Sequence, residues 1–463
     1  MNQKPHQKLP GKLVNAFIVP NIGLNLFIYL ELFYMSYFLT DICGFSLGVV
    51  TFILTSTAAV DLVWVFVTGI MLEKCEFKKL GKYRAWYVIC TPIILVFFTL
   101  MFFDMGDSIA AAAIVIIAFC IKTLFQDVVS AAVTGHISQI TDDVDTRTLL
   151  SARRNQGAVI GQLLFSLLGI PCITLFGKLL GNTAAGYTGA AFFFCLVNAI
   201  THYIMFLLTK DAPIAATEQI SQGSKLSIGE MFRILFTNRP LLVVSFGDLL
   251  RYTAVFLVSS TAAYFFENVL KDSASMSVYM TIQTVTGVIG AILVNQVSRR
   301  LGKKTTYCLC NLIYGAILVA MFFVADEGRT TLFIVCMAVA FFFGSMIGTV
   351  VTAMTTDTVI YTMWKDGKNA RGFIMSMLNI PIKFGSMIKS IILPVGLSAI
   401  GYTAGQAASA SVAKGISGIM CLASGICVIL SCLIIFFGYN LTEKKVAELT
   451  AIVEKRQTTK EII

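Results

Sequence analysis

Long apolar runs, each broken by a short polar or charged stretch, dominate the chain from residue 16 to residue 438. A hydrocarbon core about 30 Å thick takes about 20 helical residues per crossing. Twelve runs reach that length, near residues 16–40, 46–72, 84–104, 108–135, 155–177, 186–208, 241–266, 275–297, 306–324, 330–355, 372–399 and 416–438, and each predicts a membrane-spanning helix. The longest polar interruption, residues 210–240, contains Gln219, Gln222, Gly223, Ser224 and Lys225 and divides the spans six and six. The chain therefore reads as an all-α membrane protein: a six-helix bundle over 1–209, a cytoplasmic linker over 210–240, and a second bundle with a short tail over 241–463. Leu80-Gly81-Lys82-Tyr83 after the second span and Leu301-Gly302-Lys303-Lys304 after the eighth echo each other, as two parallel repeats of six spans would. Pro20, Gly23, Pro171, Pro381 and Pro394 fall inside spans, where they bend helices or allow close packing.

Composition agrees with the pattern. The chain is 57% hydrophobic and only 13% charged, a balance no soluble domain needs. Its net charge of +10 gathers between spans, at Lys74, Lys78, Lys79, Lys82 and Arg84 and again at Arg299, Arg300, Lys303 and Lys304. Cytoplasmic loops collect such charge, so both termini are expected inside a cell membrane crossed many times. Anionic lipid headgroups account for the basic excess, and no basic stripe with interleaved aromatics suggests nucleic acid. The start, MNQKPHQKLPGK, has no small-residue cleavage site and is expected to be retained. Twelve scattered cysteines read as small hydrophobes, and His6, His136 and His202 are far apart in sequence, so neither a zinc site nor a disulfide framework is indicated. No phosphate loop or nucleophile elbow supports a membrane enzyme or a sensor.

Charges inside the spans point to the chemistry. Glu31, Asp61, Asp127 and Asp248 face Lys122, Arg251, Lys383 and Lys389, and such residues mark ion or substrate paths because lipid penalises them by a few kcal/mol or more. Asp248 and Arg251, three apart, make a local pair. Asp61 has no basic neighbour within a turn, and Trp64 three residues later would offer a ring face to a sugar or a cation. Asp127, Ser130 and Thr134 share a face of the fourth span that suits a wet wall, with a pair from Asp127 to Lys122 as the competing role. Asn21 and Asn25 share a face of the first.

The stretch Asp357-Thr358-Val359-Ile360-Tyr361-Thr362-Met363-Trp364-Lys365-Asp366-Gly367-Lys368, with Arg371-Gly372 and Lys383, resembles the glycoside–pentoside–hexuronide:cation symporters, the melibiose-permease-like branch of the major facilitator superfamily. Gly23-Leu24-Asn25 with Thr40-Asp41, Asp61 to Gly69 with Leu80-Gly81-Lys82-Tyr83-Arg84, and Asp143, Arg147, Leu150 and Arg153 agree, so the resemblance covers essentially the whole chain. It implies the major facilitator fold, alternating access and sugar uptake driven by H+ or Na+. By position it implies that Asp61 belongs to the cation site and that Lys383 lies beside it. The chain departs from that pattern at the second helix-two carboxylate, which is Val65 here, and a hydroxyl ligand on helix four is replaced by Asp127. A carboxylate moved to helix four would keep Asp61 and Asp127 as a pair, and one carboxylate with a raised pKa suffices for a proton, so H+ is the expected ion and Na+ the alternative.

The sugar positions depart as well. Asn25, Ser130 and Thr134 stand where melibiose-type members carry acids and a Trp, and the helix-five Arg is either Asn155 or, one residue earlier, Arg154. Asn25, Trp64, Ser130, Arg154, Asn155 and Gln162 are the expected solute-binding residues. Asp143, Arg147, Asp357, Tyr361, Lys365 and Arg371 are the expected cytoplasmic gate. No cofactor is expected, no metal beyond a transported Na+ at Asp61 and Asp127, and a monomer in the lipid bilayer is the expected working unit. The alternative activity is an uncoupled facilitator or exporter of another small polar solute.

Overall fold

Within hydrocarbon only a helix satisfies all of its own amides, and the apolar runs fold accordingly. The structure, a computed structural model, describes residues 9–75, 77, 80–141, 143–213, 228–367 and 370–462. Among them, 12 helices are long and apolar enough to cross a membrane. They are α1 (Gly11–Ile42), α2 (Leu47–Lys74), α3 (Arg84–Met101), α4 (Ile109–Ile140), α5 (Val144–Leu180), α6 (Thr183–Leu208), α7 (Arg239–Asn268), α8 (Met276–Leu301), α9 (Lys303–Val324), α10 (Thr330–Asp366), α11 (Phe373–Ala399) and α12 (Ala410–Gly438). A short helix, Ile228–Thr237, precedes α7, and a polar helix, Glu443–Ile462, follows α12.

Polar caps decide where several of these begin. Ser108 accepts from the Ala111 amide at 3.1 Å, Asp143 from Thr146 at 2.9 Å, Asn182 from Ala185 at 2.6 Å and Asn238 from Leu241 at 3.0 Å. The Asp143 cap starts α5 about three turns before its apolar run, so the helix takes in Arg147, Arg153 and Arg154. The sequence placed that span at 155–177, because hydropathy stops where apolar residues stop and the backbone does not. α10 likewise continues to Asp366 instead of 355. Two of the prolines mark breaks: α1 is interrupted at Phe17–Ile18 before Pro20, and α11 at Met377–Leu378 before Pro381.

The chain divides into two compact units, Met1–Ser221 and Gln222–Ile463. In the first, α1 packs on α5 and α6, α3 on α4 and α6, and α2 on α4. In the second, α7 packs on α11 and α12, α9 on α10 and α12, and α8 on α10. Adding six to each number in the first set gives the second, so these pairings repeat, while α5 also packs on α6 without an equally close α11–α12 counterpart among the described residues. Gly81 and Gly302, the glycines of the sequence echo, also share a left-handed backbone, at φ +85° and +82°. Where α1 crosses α5, Gly157 and Gly161 let the backbones touch: a Cβ on Gly157 would sit 2.0 Å from the Ile18 carbonyl oxygen, and one on Gly161 2.5 Å from that of Ile22. That crossing fixes Asn25 against Gly161.

Candidate functional site

Polar side chains of the first unit gather on α4 and the helices beside it. Asp127, Ser130 and Thr134 follow one another at spacings of three and four, which places them along one face of α4. Arg154 of α5 reaches that face. Its Nη1 donates to Thr134 Oγ1 at 2.6 Å and its Nη2 to Ser130 Oγ at 3.1 Å, while Thr134 donates onward to the Ser130 carbonyl at 3.0 Å. Two sequence candidates, Ser130 and Arg154, therefore meet. Asn155 is exposed beside them, Gln162 is half-buried two turns along α5, and Asn25 is half-buried with its amide folded back onto the Asn21 carbonyl at 2.8 Å.

Lys122 does not serve Asp127 as its ion pair. Its ammonium donates to Glu31 of α1 at 2.5 Å and to Gln126 at 3.3 Å, over the Phe119 and Phe98 rings, and it is 1% exposed. The sequence offered only the in-helix partner because the neighbour across the bundle is set by packing. Asp127 lies on the polar stripe, half-buried. Asp61 is also half-buried, on α2. The Trp64 indole N–H is spent on the Cys120 carbonyl of α4 at 2.9 Å, which pins α2 to α4 one turn from Asp61. The ring's role in holding solute would then come from its face alone.

A further polar group escaped sequence reading. His136 of α4, His202 of α6 and Tyr87 of α3 are distant in sequence yet converge in the bundle, with Tyr87 Oη 3.0 Å from His136 Nδ1 and its ring 6.1 Å from that of His202. His202 bonds the Asn198 carbonyl at 2.9 Å. All three side chains are buried, and they tie α3, α4 and α6 together beneath the Arg154 face.

In the second unit Arg251 Nε donates to Asp248 at 2.6 Å, the local pair expected from their spacing, and both are buried. Lys383 and Lys389 are half-buried on α11. Asp357 accepts from Lys303 Nζ with both oxygens at 2.7 Å and from the Tyr439 hydroxyl at 3.4 Å. Burial, then the Asp357 carboxylate, pushes the Tyr439 hydroxyl well above its ordinary pKa, so it remains a donor to that carboxylate. Lys365 donates to the Thr237 carbonyl at 2.8 Å and lies over the Tyr361 ring. In the first unit Asp143 caps α5, and Arg147 donates to the Thr141 carbonyl at 2.8 Å. These contacts each lie within one unit; the Arg371 side chain is outside the described residues.

Comparison with known proteins agrees with this architecture. Residues 16–443 match the family described as MFS/sugar transport protein. A protein of Salmonella typhimurium (strain LT2) provisionally named as a sulfoquinovose importer is 26% identical over 96% of this chain and 93% of its own. The isoprimeverose transporter of Lactiplantibacillus pentosus is 22% identical, covering 87% of this chain and 83% of its own. The crystal structure of a D-xylose-proton symporter superposes with a TM-score of 0.66 at 13% identity, over 93% of this chain and 97% of that one, and shows the shared fold. With a family match over most of its length and twelve membrane-crossing helices, the chain belongs to the sugar-transporting glycoside–pentoside–hexuronide branch of the major facilitator superfamily and is a multi-pass membrane transporter.

Proposed function

We propose that the protein is a symporter of the cell membrane that couples entry of a sugar or glycoside to entry of a cation, H+ in the first instance, by alternating access. One observation carries this reading: the carboxylate of Asp127 and the hydroxyls of Ser130 and Thr134 lie on one stripe of α4, with Arg154 bonded to the hydroxyl end. A cation held by Asp127 and Asp61 would thus sit on the same helix face as the solute, so each ligand changes the surroundings of the other. Such coupling is reciprocal. Lys383 of α11 is kept among the coupling residues on the family resemblance alone. A charged carboxylate resists closure in a low-dielectric interior, and one neutralised by a proton or a cation resists it less. Asp143, Arg147, Asp357, Tyr361, Lys365 and Arg371 are assigned to the cytoplasmic gate, with Asp357 buried and held inside its own unit by Lys303 and Tyr439.

The magnitude is sufficient. One charge crossing 100 mV supplies about 2.3 kcal/mol, or about fifty-fold accumulation of solute. Asp61→Asn should therefore reduce accumulation in energised proteoliposomes from tens-fold to about unity while solute exchange continues. Undiminished uphill uptake by that variant would end the coupling assignment.

A further inference from the structure

At the end of the second unit away from Lys303, α9, α11 and α12 enclose a recess of about 670 Å3, lined by none of the residues assigned to solute, cation or gate. Its α12 wall runs from Ser411 through Gly415, Gly418 and Leu422 to Ile426, steps of three and four residues that keep to one helix face. Gly396 of α11 and Phe322 of α9 complete it. The 15 residues from Ser411 to Ile426 rise about 22 Å, so a groove opening at the membrane surface passes the midplane of a hydrocarbon core about 30 Å thick.

Two features set this groove apart from ordinary lipid-facing surface. A π-helical turn, Gly418–Ala423, interrupts α12 along its wall, and such turns gather at functional sites. Its polarity is also graded: of the lining residues only Ser411 and Lys414 are polar, and both lie in the first two turns of α12, at the mouth. The Lys414 ammonium donates to the Phe322 carbonyl and lies 4.4 Å over the Phe322 ring, which fixes it there. Among the described residues no carboxylate lies within 4.0 Å of it, and two of its three N–H groups have no protein acceptor.

Apolar walls give a sugar no hydroxyl partner along this length, whereas a hydrocarbon chain lying in the groove gains dispersion contacts from both sides. A cation fixed at the mouth, with donors to spare and no counter-charge of its own, complements a phosphate at the head of that chain. We propose that the groove holds an acyl chain of a phospholipid with a net negative head group, and that Lys414 binds the phosphate. The chain would fill the space between α11 and α12 beside the π-helical turn, and the charge on Lys414 would select the lipid.

The test uses the full chain in phosphatidylethanolamine vesicles that carry a trace of photoactivatable phosphatidylglycerol or phosphatidylcholine, with identical acyl chains bearing a diazirine near the terminal methyl. Crosslinked peptides are identified by mass spectrometry. Phosphatidylglycerol should label the stretch from Gly418 to Ile426 about five-fold more than phosphatidylcholine does, the preference that one basic residue gives an anionic head group. Unlabelled phosphatidylglycerol should displace that label, and glycerophosphoglycerol, the same head group without chains, should not. Lys414→Gln should bring labelling down to the phosphatidylcholine level, and Lys414→Arg should keep the preference. Gly418→Leu should exclude both lipids from the stretch, since a Cβ there has Phe322 at 3.7 Å as its nearest neighbour and the rest of the side chain enters the groove. Equal labelling by the two lipids, read on the unaltered protein, would overturn selection by charge. Label spread evenly over every lipid-facing helix would overturn the site itself. Displacement by glycerophosphoglycerol would assign the mouth to soluble phosphate esters and overturn the lipid. None of these readouts depends on transport, so the symport reading stands or falls separately.

Discussion

Lys122→Met should be among the most damaging single substitutions in the protein, destabilising it by about 3 to 5 kcal/mol. The lysine is 1% exposed, its ammonium bonds Glu31 and Gln126, and aromatic rings of Phe98 and Phe119 close the space around it. Deleting it strands the Glu31 carboxylate between α1 and α4 in an interior that hydrates charge poorly. The effect comes from the unpaired partner more than from the lost attraction. Glu31→Gln combined with Lys122→Met should therefore recover most of the loss, which denaturation in detergent would read directly. If the double variant were as unstable as the single one, the pair would not be the cause.

Gly157→Leu is the second large effect. At this position even a methyl group would lie 2.0 Å from the Ile18 carbonyl oxygen and 3.2 Å from the Asn21 side chain, and a backbone atom gives way only if α1 moves as a whole. Overpacking of ordinary cores costs about 1 to 3 kcal/mol, and a helix crossing has less freedom to adjust. The substitution should prevent recovery of folded protein, with Gly157→Ala intermediate. Gly48→Ala is the control: nothing lies within 4 Å of a Cβ there, so replacing a helical glycine should be neutral or stabilising by up to about 1 kcal/mol. Monodisperse, stable Gly157→Leu protein would show that α1 and α5 are not in backbone contact.

Both effects concern features the sequence carried unequally. The spans were legible because lipid demands apolar residues over about 20 positions, a signal that survives without any knowledge of packing. Their ends were not, as the helical turns of α5 that contain Arg147, Arg153 and Arg154 show. The spacing Gly157-x-x-x-Gly161 is a written signal for close helix approach, but it does not name the helix that approaches. Asp248 and Arg251 were readable because three residues along one helix fix their distance, whereas Glu31 and Lys122 are 91 residues apart and depend on which helices touch. The same reason hid the Tyr87, His136 and His202 group. At the candidate site, the α4 stripe of Asp127, Ser130 and Thr134 followed from periodicity, and the choice between Asn155 and Arg154 as the α5 residue facing it required the fold.

Symport requires solute and cation to cross together, and simultaneous flux tests this most directly. Proteoliposomes carrying an internal pH indicator or a Na+-sensitive dye would be given a pulse of transported sugar with no ion gradient present. H+, or failing that Na+, should enter in fixed proportion to the sugar, and Asp61→Asn should abolish the ion signal. Sugar entering down its own gradient with no accompanying movement of either ion would contradict it.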